Sequence, residues 1–158
     1  MKFTHLTHRG EAHMVDVTHK TPTVRSASAR AEVVCSAEVL QALRDGDIPK
    51  GDVFAVARVA GIQAAKQVPT LLPLAHTIGV HGCEIAIDLS PTCVTLSSTV
   101  HTADRTGVEM EALTAVTVAA LTIIDMVKGT DRLAYIRNCR ITHKSGGRSG
   151  TWIRDEGP

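Results

Sequence analysis

Asp125 and Lys128 lie three residues apart in a stretch that reads as helix, so their side chains share one face. A carboxylate and an amine held together can pass protons to and from a bound molecule. The plain alternative is a helix-surface ion pair worth about 0.2–0.5 kcal/mol. Asp125, however, follows a ten-residue apolar stretch, where a carboxylate is out of place without a partner or a task. Lys50-Gly51-Asp52 stands at the entrance to another helix, where backbone N–H groups and the helix dipole favour an anion and Lys50 adds a full charge. There the alternative is a solvated lysine beside a capping aspartate. His76 ends the apolar loop Leu72-Pro73-Leu74-Ala75-His76. An imidazole in that place can orient a substrate or shuttle a proton, or it can be a partly buried structural histidine.

The segment Lys144-Ser145-Gly146-Gly147-Arg148-Ser149-Gly150 is basic and rich in glycine. Its backbone N–H groups can approach an anion while Lys144 and Arg148 supply charge. It lacks the Walker A spacing, and a flexible tail is the competing reading. Arg25, Lys50, Lys128, Lys144 and Arg148 together suggest one focused polyanion pocket in an otherwise neutral protein, with a nucleotide polyphosphate as a natural occupant. Glu109 and Glu111 sit in the first turn of the helix that carries Asp125. Glu109 is explained by capping, and Glu111 is not. Glu111 and Asp125 are fourteen residues apart, roughly 21 Å along a helix axis. One copy of the helix cannot bring both to the reacting atoms of one small molecule. A site using both draws them from different subunits or holds an extended ligand.

These residues need elements to place them. Residues 23–34 alternate small or apolar with polar side chains, as a half-buried strand does. Ser36 caps a short helix over 37–44 that Gly46 ends. A second helix follows Asp52 and runs to about Lys66, with Pro69 closing it. Residues 83–89 and 93–101 read as a hairpin around Ser90-Pro91-Thr92, which would let Cys83 and Cys93 face each other. The clearest helix covers 107–128, with Thr106 and Glu109 at capping-box spacing and Gly129 as its stop. Its middle, 113–124, is apolar almost all round, so it is expected to be buried on more than one side and to meet another subunit. Residues 133–141 form a last strand. The order strand, helices, strand, strand, helix, strand predicts an α+β fold of the ferredoxin-like, split βαβ type: an antiparallel sheet with helices packed on one face.

A chain of 158 residues suits a single domain, with residues 1–22 as a polar N-terminal segment over the surface and 145–158 as a glycine-rich loop and tail. With 17 basic and 16 acidic residues the net charge is +1, which argues against a nucleic-acid partner. Aromatics are only 3%, too few for stacking on single strands. The four cysteines form no CxxC pair and fit a reduced cytoplasmic interior. His5, His8, His13 and His19 lack i, i+4 spacing and nearby cysteines, so no metal site is expected. The start lacks a signal-peptide core, and the apolar run is short of the ~20 residues that span a bilayer, so no membrane association is expected.

Met14-Val15-Asp16-Val17-Thr18, Lys50-Gly51-Asp52-Val53, Ala57-Arg58-Val59-Ala60-Gly61-Ile62-Gln63-Ala64-Ala65-Lys66, Thr106-Gly107-Val108-Glu109-Met110-Glu111-Ala112-Leu113-Thr114-Ala115 and the 144–150 segment resemble the MoaC family, the cyclic pyranopterin monophosphate synthases of molybdenum cofactor biosynthesis. The resemblance runs from about His13 to Trp152. It implies a ferredoxin-like α+β fold, a hexamer built from dimers with pockets at the dimer interface, and no cofactor. It implies a lyase that converts 3′,8-cyclo-7,8-dihydroguanosine 5′-triphosphate, made by a radical-SAM partner enzyme, into cyclic pyranopterin monophosphate and pyrophosphate. Asp125 carries over as the active-site carboxylate, Lys50 and Lys128 as catalytic lysines. Leu74, Ala75 and His76, and Met110 and Glu111, carry over as substrate contacts, and Arg25 and Lys144 as phosphate contacts. The family commonly reads Pro-Leu-Cys-His-Pro where this chain has Pro73-Leu74-Ala75-His76-Thr77, which argues against thiol chemistry there. Ile124 stands where a tyrosine usually precedes the aspartate. A non-catalytic nucleotide sensor on the same scaffold is the alternative, and turnover separates the two.

Overall fold

A computed structural model describes residues 5–155. Strand β1 (Thr23–Val34) turns Ala27, Ala29, Ala31 and Val33 to one side, where all four are buried. It pairs antiparallel with β3 (Val94–Asp104) on one edge and β4 (Tyr135–Ser145) on the other. Strand β2 (Gly82–Leu89) adds to β3, and the two-residue β5 (Trp152–Ile153) adds to β4. The sheet order is therefore β2-β3-β1-β4-β5. Each helical crossover joins two strands with a third between them, which is the split βαβ arrangement expected from the element order.

The crossover from β1 to β2 holds α1 (Ala37–Asp45), α2 (Val53–Ala65) and the single turn α3 (Val68–Leu71). Ser36 accepts from the Val39 N–H at the start of α1, and Gly46 ends that helix in the left-handed region at φ 72°. Asp52 caps α2 by accepting from the Ala55 N–H at 2.9 Å. Pro69 does not merely close α2: it lies in the first turn of α3, where its missing N–H costs nothing.

Helix α4 (Glu109–Val127) packs on the sheet beside α2. Its inner face is made largely of small residues, Ala112, Ala115, Ala119 and Ala120, set against the alanines of β1. Gly61 of α2 completes this close approach, since a Cβ there would stand 2.9 Å from the Ala115 carbonyl. Buried Ser98 of β3 donates to the Ala112 carbonyl at 2.6 Å and ties the first turn of α4 to the sheet. With 19 residues, α4 is long and apolar enough to cross a membrane, longer than its apolar run indicated. In this fold half of it is buried as a core helix. Leu121 (56% exposed) and Met110 (39% exposed) remain on its outer side, so the helix is covered on one side only within a single chain.

Several expected boundaries move. Val108, not Thr106, occupies the N-cap of α4 and offers no side-chain bond. Glu109 does not close a capping box, because its carboxylate folds back over Gly107 and meets Lys144. Gly129 does not adopt the left-handed conformation. The helix ends at Lys128, whose N–H donates to the Ile124 carbonyl, and the N–H groups of Thr130 and Asp131 both donate to the Val127 carbonyl. The last strand starts at Tyr135 rather than 133 and continues to Ser145 rather than 141, because its polar end pairs with Ser26 and Ala27 of β1. Cys83 faces Val100, not Cys93, and all four cysteines are free thiols.

Candidate functional site at the two ends of helix α4

Lys144 pairs with Ala27 across the β1–β4 ladder, so both point to the helix-bearing side. That aims the lysine at the start of α4, where its ammonium lies 3.2 Å from Glu109 and donates to the Ser149 hydroxyl at 2.8 Å. Arg25, two residues before Ala27, shares the same side. Its guanidinium donates to the carbonyls of Asp104 (3.0 Å) and Arg105 (3.3 Å). The turn after β4 presses on it. Gly146 and Gly147 have φ of 87° and 68°, and side chains there would collide with the Val24 carbonyl and the Arg25 guanidinium.

Beside this lies a cavity of about 620 Å³, with His76 and Glu111 on its wall and Leu74, Ala75 and Met110 around it. The chain over residues 14–20 crosses its mouth, contributing Val15, Asp16, His19 and Lys20. His76 holds that strap: its Nε2 lies 2.6 Å from the Val15 carbonyl. A carbonyl only accepts, so Nε2 carries the hydrogen of this bond. Asp16 is held in its own turn by the Thr18 N–H and hydroxyl, which keep its carboxyl below the usual range.

Glu111 is the buried acid of this end, 3% exposed. Burial pushes its carboxyl up to about 6; the charge of Glu109 adds to the rise, while its own backbone N–H and His76 oppose it. A carboxyl poised there can both give and take a proton near neutral pH. It also costs stability when ionised. Because its folded value is raised, its favourable contribution is full below the ordinary carboxylate range and is lost as pH rises through about 6. The loss amounts to about 2 kcal/mol. Glu111→Gln mimics the neutral acid, so urea midpoints of the variant and wild type should agree near pH 4 and separate in the variant's favour by pH 8. Parallel midpoints across that range would show that Glu111 is not held as the acid.

The other end of α4 carries the second cluster. Lys128 lies 2.6 Å from the Asp125 carboxylate, and Lys50 lies 3.6 Å from it while donating to the Asp125 carbonyl at 2.6 Å. The hydrogen bond from Lys128, then the charges of Lys128 and Lys50, hold the Asp125 carboxyl below its usual range. All three side chains are about half exposed, so Asp125 has partners but is not buried among them. The five cations expected in one pocket are thus divided. Arg25, Lys144 and Arg148 are at the start of α4, and Lys50 and Lys128 at its end.

The MoaC family model matches residues 14–147. The chain belongs to the MoaC family. Among its relatives in that family, the cyclic pyranopterin monophosphate synthase of Streptomyces griseus is 50% identical, over 99% of this chain and 90% of its own length. That of Geobacter sulfurreducens is 49% identical over 99% of both chains. Cyclic pyranopterin monophosphate synthase 2 of Mycobacterium tuberculosis is 48% identical over 97% of this chain and 92% of its own. The family match begins within the strap, at Met14. The strap is what the chemistry of single residues missed: Asp16, His19 and Lys20 read as polar surface, and only the resemblance carried by Met14-Val15-Asp16-Val17-Thr18 pointed to this segment.

Proposed function

We propose that this chain is a cyclic pyranopterin monophosphate synthase, a phosphorus–oxygen lyase of molybdenum cofactor biosynthesis. It converts 3′,8-cyclo-7,8-dihydroguanosine 5′-triphosphate into cyclic pyranopterin monophosphate and pyrophosphate. The observation that carries this is the full-length identity of about half to relatives of that name, on a chain that presents the acid, amine and cation groups the conversion needs. Opening the imidazole portion of the purine, rebuilding a pyrazine ring and closing a cyclic phosphate each move protons. Asp125 with Lys50 and Lys128 forms one proton-transferring group. Glu111 and His76 form another, with Leu74, Ala75 and Met110 shaping the wall around the substrate. Arg25 and Lys144 take the phosphates, with Lys144 exchanging Glu109 for phosphate as the substrate enters.

The two groups occupy opposite ends of α4, roughly 21 Å apart along the axis. A working pocket therefore joins the start of α4 from one subunit to the end of α4 from another. The half-covered helix, with Leu121 outward, offers apolar surface for that union. The assembly in this reading is a hexamer, a trimer of dimers, of single-domain ferredoxin-like subunits spanning 1–158. It works in the cytoplasm downstream of a radical-SAM cyclase, without a cofactor, nucleic acid or membrane. Purified protein given the cyclised triphosphate should release one pyrophosphate per cyclic pyranopterin monophosphate formed. Tight binding with no pyrophosphate released would identify a nucleotide sensor instead.

A further inference from the structure

The strap over residues 14–20 has open space on both sides. In front of it is the cavity of His76 and Glu111. Behind it is a hollow of about 420 Å³, walled by Met14, Thr18, Thr77, Ile78, Asp104 and Arg105. Val17 and His76 line both spaces. Only Val15 and Val17 of the strap are half-buried and its other residues are exposed, so packing contributes little to its place. The Thr18 N–H donates to Asp16 and the Lys20 N–H to the Val17 carbonyl, bonds that shape the strap without attaching it to anything else. Among the described residues, two side chains hydrogen-bond it to the rest of the fold. His76 holds the Val15 carbonyl, and Arg105 donates from Nε to the Lys20 carbonyl at 3.0 Å.

Arg105 is itself fixed. Its N–H donates to the Asp104 carboxylate at 2.7 Å, and the other oxygen of that carboxylate accepts from the Gly79 N–H at 3.3 Å. The Thr102 hydroxyl donates to the Gly79 carbonyl at 2.6 Å, which ties the end of β3 to the chain before β2. Arg25 binds the carbonyls of both Asp104 and Arg105. Arg105 walls the rear hollow and takes no part in the wall of the catalytic cavity, so it acts through the strap and not on a bound molecule. A segment held at one end only regains the freedom of its other residues, roughly 1–2 kcal/mol for each backbone unit released. We propose that Arg105 is a positioning residue: its Nε–H holds the Lys20 end of the strap and so keeps Asp16 and His19 at the mouth of the cavity. This rests on the proposed synthase reading for the reaction that is positioned, while the hold on the strap is measured without turnover.

Two replacements separate the bond from the charge. Glutamine carries its amide nitrogen as many bonds from Cα as arginine carries Nε, so Arg105→Gln keeps a donor there and drops the charge. Arg105→Met fills the same length with neither. Hydrogen–deuterium exchange over residues 14–20 should run about tenfold faster in Arg105→Met, the loss expected for one charge-assisted hydrogen bond, with β1, β3 and α4 unchanged. Arg105→Gln should bring back most of the protection. In turnover, Arg105→Met should raise KM for the cyclised triphosphate by a similar factor with kcat much less changed, and Arg105→Gln should follow the wild type. Wild-type exchange in Arg105→Met would overturn the proposal, as would wild-type kinetics despite a loosened strap. Arg105→Gln as impaired as Arg105→Met would overturn it too, by making charge the working property. Faster exchange spread into β3 and α4 would make Arg105 a support of the fold instead. If exchange behaves as expected and yet the wild type forms no pyrophosphate, the hold on the strap stands and the synthase reading fails.

Discussion

Lys128→Ala and Lys50→Ala should each fold normally and turn over the cyclised triphosphate at least about a hundredfold more slowly, the loss typical of one acid–base group. The expectation follows from where the two amines sit. Both reach Asp125 at the exposed end of α4, Lys128 directly on the carboxylate and Lys50 on its carbonyl. Exposed ion pairs contribute little to stability, so removing either amine leaves the thermal midpoint nearly unchanged. The same exposure makes the pair available to a ligand brought in from outside this chain. Steady-state kinetics with a parallel melting curve separates the two effects. A kcat within twofold of wild type would remove that lysine from the chemistry, and a collapsed midpoint would show that it supports the fold.

Mixing inactive Glu111→Ala and Asp125→Ala proteins, with subunit exchange allowed, should restore activity. Each helix places its acid near one end and its aspartate near the other, so a shared pocket takes Glu111 from one subunit and Asp125 from its neighbour. In a two-fold dimer of one mutant with the other, one pocket carries both lesions and the other carries neither. Random exchange makes about half of the dimers mixed, so activity should approach about a quarter of wild type from a near-zero start. Mass spectrometry establishes that exchange has occurred. Exchanged but inactive mixtures would mean that the two residues serve one chain, or that Glu111 acts only in the fold.

Period-two alternation from Thr23 to Val34 already defined β1, because a half-buried strand shows its two faces in the sequence. Ser36, Gly46 and Asp52 marked helix ends for the same local reason: caps are made by the residues beside the turn they satisfy. The spacing of Asp125 and Lys128 on one helix face, and the distance from Glu111 to Asp125, follow from helix geometry alone. What depends on partners far along the chain was not legible in this way. Glu109 has capping-box spacing yet turns to Lys144, which β4 brings 35 positions back onto the start of α4. The polar end of β4 has no alternation and becomes a strand because β1 offers it a ladder. Glu111 stood out in the sequence as a first-turn acid that capping does not explain, but its burial was not legible, because the sheet, the Leu74–His76 loop and the strap that enclose it and raise its carboxyl come from far along the chain. The strap itself reads as surface and lies across the cavity because His76 and Arg105 hold its carbonyls. Sequence alone thus determined the elements and the chemical types they carry, since both depend on neighbours within a few residues. Only the tertiary structure decided which acids are buried, which cations are paired and which end of α4 each one serves, since desolvation and charge pairing are set by whatever else folding brings within a few ångströms.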